Sequence, residues 1–332
     1  MPVSRNEIAE FKKSRIDIHL FEPWMNDQII QIFSNQYDQP FDVIYEVMRN
    51  IYEHPFQKEK AIRIVALDGK KVVGFQSYLF WPFFFNGKML HSYQAVRALV
   101  SEDYRGQGIF GRLLDYLEIV RQGKRIDLLT GYPIQVSINS LLRNKWSNIL
   151  NLKWFVKIIS PISVLKNLEV SNITLEKKAN QNFPNFYKKG FFQSINMDFL
   201  SWQKHYVDKQ LYFYFCYNQA NKSVEFDLKI NFRGRIKELI IGGIKSNSED
   251  PKILIRAFLE LTKAVKNQKA FTILSIAVNE KNRDTTILKA IIKSGFKKIR
   301  KEIFFCVKDF EVGKAAYQPE NWYLYKNCID TW

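Results

Sequence analysis

Three glycines fall within six residues in Gly106-Gln107-Gly108-Ile109-Phe110-Gly111, at the junction between an apolar run that ends at Val100 and an amphipathic segment that begins at Ile109. Glycine lets the backbone come close to a ligand, and the first turn of a helix carries N–H groups with no intrahelical acceptor. Together they make a cradle for an anion, with a diphosphate as its natural occupant. Other site chemistries have less support. His19, His54, His91 and His205 stand apart from one another and from Cys216, Cys306 and Cys328, so no metal-ligand or redox spacing is formed and no metal is expected.

The elements that must hold this cradle can be read from periodicity. Ile109, Leu113, Leu117 and Val120 share one helical face, and Arg112, Asp115, Glu118 and Arg121 share the other, which predicts one helix packed against a sheet. Upstream, Asp68-Gly69 separates the apolar runs 62–67 and 72–80, and Asn86-Gly87 separates 80–85 from 89–100. Both are tight-hairpin signals, so antiparallel strands precede the cradle. Gly106-x-Gly108-x-x-Gly111 also fits the dinucleotide fingerprint, with Asp127 at about the ~20-residue offset. Context excludes that reading. Five residues, 101–105, intervene between strand and first glycine, Asp127 opens an apolar run instead of closing one, and a parallel dinucleotide domain would alternate strand and helix from its start. The aromatic stretch 78–85 reads either as a strand buried on both faces or as an exposed apolar groove.

The order of two helices, antiparallel meander, strand, Arg105-x-x-Gly108-x-Phe110, helix and strand 126–131 resembles the GNAT superfamily of acyl-CoA-dependent N-acyltransferases. Its signature, (Gln/Arg)-x-x-Gly-x-(Gly/Ala), is matched at Arg105 and Gly108; Phe110 replaces the last small residue and is expected to crowd the loop. A Gly-Ile-Phe version exists in some subfamilies, and Tyr132-Pro133 resembles a Phe-Pro step found in that branch. The resemblance implies an α/β (α+β) mixed sheet flanked by helices. It further implies that amides around Arg105, Gly106, Gln107, Gly108, Ile109, Phe110 and Gly111 hold the CoA pyrophosphate, that Leu99 and Val100 pair with the pantetheine arm, and that a backbone N–H near them is the oxyanion donor.

Acyl transfer from a thioester to an amine needs a neutral amine, an oxyanion donor and a proton for the thiolate. If strand 89–100 alternates, His91, Tyr93 and Arg97 share a face with Ala95 and Leu99, which makes His91 the candidate base. Tyr93 and Tyr132 are candidates for the acid. The helix after Tyr132 has no tyrosine where the family usually places its acid. The aromatic-rich segment 321–332 reads as packed, and in some tandem relatives a terminal carboxylate reaches the active site, so Asp330 or the carboxylate of Trp332 is a further candidate base.

At 332 residues the chain is too long for one such unit. Strands at 224–231 and 235–245, a helix at 251–266, a strand at 271–278, a helix at 283–293 and a strand at 298–307 repeat the first-half order. The expected organisation is an acyl-CoA-binding unit at 1–160, a degenerate GNAT-like unit at 161–310 and a packed tail at 311–332. The second unit looks chemically empty: its strand-to-helix loop, Ser246-Asn247-Ser248-Glu249-Asp250-Pro251, has two carboxylates and no glycine, and four residues before Gly295 stands Ile291. Its expected roles are to cover the first unit, complete the acceptor pocket or dimerise. Of the net charge of +17, residues 1–150 carry +3 and residues 151–332 carry +14. That excess would attract polyanions or acidic surfaces, although no basic run with interleaved aromatics reaches the density of a nucleic-acid motif. The first residues form no apolar signal core and no run is long enough to span a membrane, so a cytoplasmic enzyme is expected. The resulting expectation is an N-acetyltransferase that moves an acetyl group from acetyl-CoA to an amine, with a nucleotide-linked amino sugar or another small amine as acceptor. The alternatives are a tRNA-dependent aminoacyl transferase of tandem type and a non-catalytic CoA-binding scaffold.

Overall fold

The computed structural model describes residues 16–165, 170–176, 190–193, 197–205 and 211–330. The first half runs β1 (Ile16–Leu20), α1 (Asn26–Tyr37), α2 (Phe41–Tyr52), β2 (Ile62–Asp68), β3 (Lys71–Phe80), β4 (Phe83–Phe85), β5 (Lys88–Leu90), β6 (Ser92–Val100), α3 (Ile109–Asp115), α4 (Leu117–Val120), β7 (Leu128–Gly131), α5 (Gln135–Arg143) and β8 (Ser147–Ile158). The second runs β9 (Phe191–Gln193), α6 (Met197–His205), β10 (Tyr212–Gln219), β11 (Lys222–Arg233), β12 (Ile236–Ser246), α7 (Pro251–Asn267), β13 (Ile273–Val278), α8 (Thr286–Lys293), β14 (Lys297–Asp309) and β15 (Trp322–Tyr323). The described residues up to 79 group with 95–125 in one compact unit, and 80–94 group with the described residues from 126 onward in another.

In the first unit, β1, β2 and β3 form an antiparallel meander, with Asp68 opposite Lys71 across a two-residue turn at Gly69. Side chains alternate across β3, so its two faces receive different helices. Phe75 meets Phe33 of α1 and Tyr52 of α2 edge-on, with ring centroids 5.7 and 6.4 Å away. On the opposite face Gly74 leaves room for α3: a Cβ there would stand 3.2 Å from Ile109 Cγ2 and 3.3 Å from Leu113 Cδ1. The apolar face of the helix is as its spacing predicts, with Ile109, Leu113 and Leu117 buried, but the helix is not continuous. Around Tyr116 the turn tightens to a bond from Ile119 N–H to Tyr116 C=O (3.0 Å), which separates α3 from α4.

The expected alternation of the strand through His91, Tyr93, Ala95, Arg97 and Leu99 is corrected by the structure. His91 lies between β5 and β6, and Arg97 takes a left-handed φ of +53° in mid-strand. Such a kink breaks the period of two. The Val96 carbonyl accepts instead from two buried side chains of β3, Gln76 Nε2 (3.0 Å) and Ser77 Oγ (3.1 Å). Phe110 does not crowd the loop as expected, since a Cβ at Gly106 or Gly108 would meet nothing within 4 Å.

In the second unit the strand order is β7-β14-β8-β13-β12-β11-β10. β14 pairs antiparallel with β7, placing Cys306 opposite Gly131, and with β8, placing Phe304 opposite Asn151. β8 in turn pairs with β13. Each half therefore lends its last strand to the other: β14 stands beside β7, and β8 stands beside β13. The helices before these two strands end alike. Trp146 N–H returns to Leu141 C=O (3.1 Å) and Phe296 N–H to Ile291 C=O (3.3 Å), around left-handed Lys145 and Gly295. α7 and α8 cover one face of β8 and β11–β13 through Phe226, Leu239, Phe258, Leu261 and Ile276.

The aromatic stretch is resolved in favour of burial. Tyr78, Leu79, Trp81 and Phe83 are buried, and β4 joins β5, β9 and β15 in a small second sheet. Phe85 stacks on Phe191 at 4.3 Å and Phe191 on Trp322 at 4.1 Å. The tail up to Asp330 is packed: Leu324, Cys328 and Ile329 are buried. Gln94, fully buried, holds it by donating to Cys328 C=O and accepting from Asp330 N–H, both at 2.8 Å. Trp332, whose carboxylate was a candidate base, lies outside the described residues. Replacing Gln94 by Leu strands both tail groups, so we expect a loss of about 1–3 kcal/mol in urea unfolding. Amide exchange should then rise first at 326–330; unchanged exchange there would refute the clamp.

Candidate functional site

The cradle belongs to the first unit and is built in three steps. β6 delivers the chain to Ser101, whose N–H donates to Val73 C=O (2.9 Å). A single turn at Glu102–Tyr104 follows, tied down by Tyr104 Oη donating to Asp68 Oδ2 (2.8 Å). Gly106 and Gly108 then take φ of +79° and +74°, a backbone path that a β-carbon disfavours, and deliver Ile109 into α3. The N–H groups of Gly106 through Gly111 have no acceptor among the described residues, and 105–108 are exposed. Six consecutive donors without acceptors at the positive end of a docked helix are an arrangement that suits an anion.

Arg105 braces this loop. Its Nε donates to Val100 C=O (3.1 Å) and its Nη2 to Gln36 Oε1, so the guanidinium ties the loop to β6 and α1. Arg112, one turn into the helix, donates to Ile16 C=O of β1. Leu99 and Val100, the expected pantetheine partners, are half-buried at the end of β6. Ile109 is buried against Gly74, and Phe110 and Gly111 are half-buried.

The corresponding junction of the second half, between β12 and α7, is closed by its own side chains. Asp250 Oδ1 accepts from Lys252 N–H (2.9 Å), and Asp250 C=O accepts from the amides of Ile253 and Leu254. Asp250 N–H donates to Ser248 Oγ (3.2 Å). The capping hydrogen bond from Lys252 holds the Asp250 carboxyl below the usual range, and Lys222 pairs with it at 3.6 Å. This helix start is satisfied by a carboxylate of its own chain, the reverse of the open amides at Gly106–Gly111.

The candidate catalytic side chains belong to the second unit and fall in two groups. His91 is pinned through its backbone: its N–H donates to Asp127 Oδ2 (2.8 Å), and its C=O accepts from Asp127 N–H (2.9 Å). Buried Asp127 is thus a structural clamp, consistent with rejecting the nucleotide fingerprint. Phe80 lies between His91 and Tyr93, 6.1 and 5.5 Å from their rings, and burial pushes the Tyr93 phenol up to about 12. The second group joins Tyr132 to the tail. Tyr132 packs on Phe305 at 5.0 Å, and its buried hydroxyl has no partner among the described residues. Burial, with Cys328 and Asp330 nearby, raises its pKa well above the ordinary value, so it stays protonated across neutral pH.

Several residues that shape these sites carried a signal in the sequence. Gly74 interrupts an otherwise apolar strand, a mark of close backbone approach. Gln76 and Gln94 are polar residues inside buried runs. Arg97 and Gln36 carried none. Among the described residues, no cluster of His, Cys, Asp or Glu has the geometry of a metal site.

No family model and no curated protein matches the sequence. Solved structures do match in fold. A GCN5-related N-acetyltransferase from Anabaena variabilis superimposes with a TM-score of 0.60 at 11% identity, over 89% of this chain and 73% of that one. A GCN5-related N-acetyltransferase from Kribbella flavida gives 0.56 at 11% identity, over 91% and 73%. Saccharomyces cerevisiae N-myristoyltransferase, with bound myristoyl-CoA and inhibitors, gives 0.51 at 11% identity, over 99% and 90%. The chain has a GNAT-like α/β fold, a mixed sheet flanked by helices.

Two outcomes follow from this geometry. Gly74→Val would drive a side chain into Ile109 and Leu113, so we expect a loss of about 1–3 kcal/mol and a displaced α3; an undiminished Tm would contradict the packing. Tyr132 and Tyr93 have phenol pKa values raised by folding. Their neutral forms favour the folded state, so this stability is fully present below the unfolded tyrosine pKa of about 10 and is lost as pH rises beyond it. Denaturant midpoints between pH 8 and about 12 should therefore fall on the alkaline side, and Tyr132→Phe should flatten the fall.

Proposed function

We propose that this chain is an acyl-CoA-dependent N-acyltransferase. The observation that carries the reading is the run of six open amides from Gly106 to Gly111, braced by Arg105. Such a run suits the pyrophosphate of CoA, while the capped start of α7 does not. The fold likeness to N-acetyltransferases and to an N-myristoyltransferase supports an acyl-CoA donor. Acetyl-CoA is the donor proposed, and an amine the acceptor, with a nucleotide-linked amino sugar or another small amine as the class to screen. The amides of Gly106–Gly111 would bind the diphosphate, and Leu99 and Val100 would align the pantetheine arm. A tandem division near residue 160, with a second unit that supports the first, belongs to the same proposal; the matching exits of α5 and α8 support it.

In the chemistry proposed, a neutral amine attacks the thioester carbonyl, its proton passes to a base, and the tetrahedral intermediate collapses with release of thiolate. Tyr132 is the proposed acid, because its buried hydroxyl has no partner among the described residues and so has an O–H to give. Tyr93, which shares the Phe80 ring with His91, is the second choice. His91 and Asp330 are the proposed bases. The tRNA-dependent and scaffold readings have less support: the first would leave an open pyrophosphate cradle without a role, and the second would leave Tyr132 without one.

Acetyl-CoA should bind the protein in calorimetry, and Gly108→Glu, which puts bulk and negative charge among the amides, should weaken it at least 100-fold, or about 2.7 kcal/mol. No binding by a folded parent would sink the CoA reading, and tighter binding of myristoyl-CoA would reassign the donor. With turnover established, Tyr132→Phe should lower kcat by about 100-fold with little change in acetyl-CoA affinity; an unchanged kcat would remove Tyr132 from the mechanism.

A further inference from the structure

We infer that the first unit holds a separate small-molecule site, a cavity at the start of β2 in which Arg63 receives the carboxylate of a ligand with a flat apolar body. The cavity has a volume of about 480 Å³ and is bounded by the β1–α1 connection, the first half of α1, the C-terminal part of α2 with the segment after it, and Arg63. Protein interiors leave few voids larger than a water, and ligand cavities of a few hundred Å³ combine apolar walls with a small number of polar groups.

Arg63 is the polar group that selects the ligand. Its Cζ lies 3.5 Å from the ring centroid of Phe21 and 5.1 Å from that of Tyr52. Phe21 N–H donates to Arg63 C=O (2.9 Å), and Tyr52 Oη shares a 2.6 Å hydrogen bond with Ser77 Oγ, which keeps both rings beside the guanidinium. The guanidinium is half-buried, yet none of its N–H groups has an acceptor and it forms no ion pair among the described residues. A planar fork of unused donors, stacked on aromatic faces, matches a carboxylate in two parallel hydrogen bonds. Burial lowers the Arg63 pKa against the pull of Glu53, a penalty that a bound carboxylate would offset.

The other walls set the rest of the ligand. Ile30 of α1 and Met48 of α2 are buried, and Phe21, Tyr45 and Tyr52 add rings, so the body that fits is apolar and flat. Lys58, exposed and without an acceptor among the described residues, supplies a second cation, whereas Arg49 is already held by Glu46 at 2.7 Å. Glu53 and Glu59, also exposed, line the same cavity. Two negative charges nearby favour a single charge on the ligand over a phosphate dianion. The site stands apart from the cradle. Arg63 is near the start of β2 and Ile30 in the first half of α1, whereas Asp68 at the end of β2 holds Tyr104 and Gln36 near the end of α1 holds Arg105. The run of β2 from Arg63 to Asp68 separates them by about 16 Å.

The inference does not depend on the CoA reading. Its test is calorimetric titration of 3-phenylpropionate, and separately of the uncharged 3-phenylpropionamide, into the full-length parent, Gly108→Glu and Arg63→Gln. The acid should bind saturably and survive Gly108→Glu, while the amide on the parent, and the acid on Arg63→Gln, should each bind about tenfold more weakly. A second readout needs no change at Arg63. In methyl-labelled methionine NMR of the parent, the acid should shift the Met48 methyl, identified by its loss in Met48→Leu, and leave that of exposed Met89 in place. No saturable binding of the acid at millimolar concentration overturns the proposal. So does an amide that binds as tightly as the acid, binding lost in Gly108→Glu, binding that leaves the Met48 methyl unmoved, or a folded Arg63→Gln that binds like the parent.

Discussion

The pairing of β14 with β7 on one edge and β8 on the other is the constraint on which the second unit depends. β7 and β8 are only about one helix apart in sequence, yet they never meet as neighbours in the sheet, because a strand from near the far end of the chain lies between them. Neither half can complete its own sheet, so the core under α7 and α8 and the stacked rings around Trp322 belong to one cooperative structure. A sequence separation of this size delays the rewarding contacts and costs closure entropy, which points to slow folding of this part.

The two strand-to-helix junctions treat their unpaired helix-start amides in opposite ways. Both present the same orphan donors. At α7 the chain meets the need internally, with Asp250 and Ser248. At α3 it leaves the need open, with glycines whose positive φ bends the backbone away and Arg105 turned back to hold the loop. Gly74 completes the arrangement by letting α3 lie close on β3.

Local features of the fold were legible in the sequence. Gly69 and the Asn86-Gly87 pair mark hairpin turns, and both residues of the pair take positive φ. The second-half elements follow their apolar periods, with α7 at Pro251–Asn267 and α8 ending just before Gly295. What escaped was non-local or lacked a residue signature. Strand exchange is set by pairing between distant segments, which periodicity does not encode. The kink at Arg97 uses an ordinary side chain and is sustained by Gln76 and Ser77 from the neighbouring strand. Lys145 adopts the left-handed exit that its counterpart Gly295 announces openly. The candidate cradle was legible because glycine spacing is local, whereas the surroundings of Tyr132 depend on a tail nearly two hundred residues later.

The central claim is that the open amides of the first unit are a binding surface for the diphosphate of an acyl-CoA. Backbone amide hydrogen exchange with and without CoA tests it residue by residue. Bound CoA should bring new protection at Gly106–Gly111, with Arg105 and the first turn of α3 following. Protection that leaves these amides exchanging as before, while CoA is bound elsewhere on the chain, would contradict it.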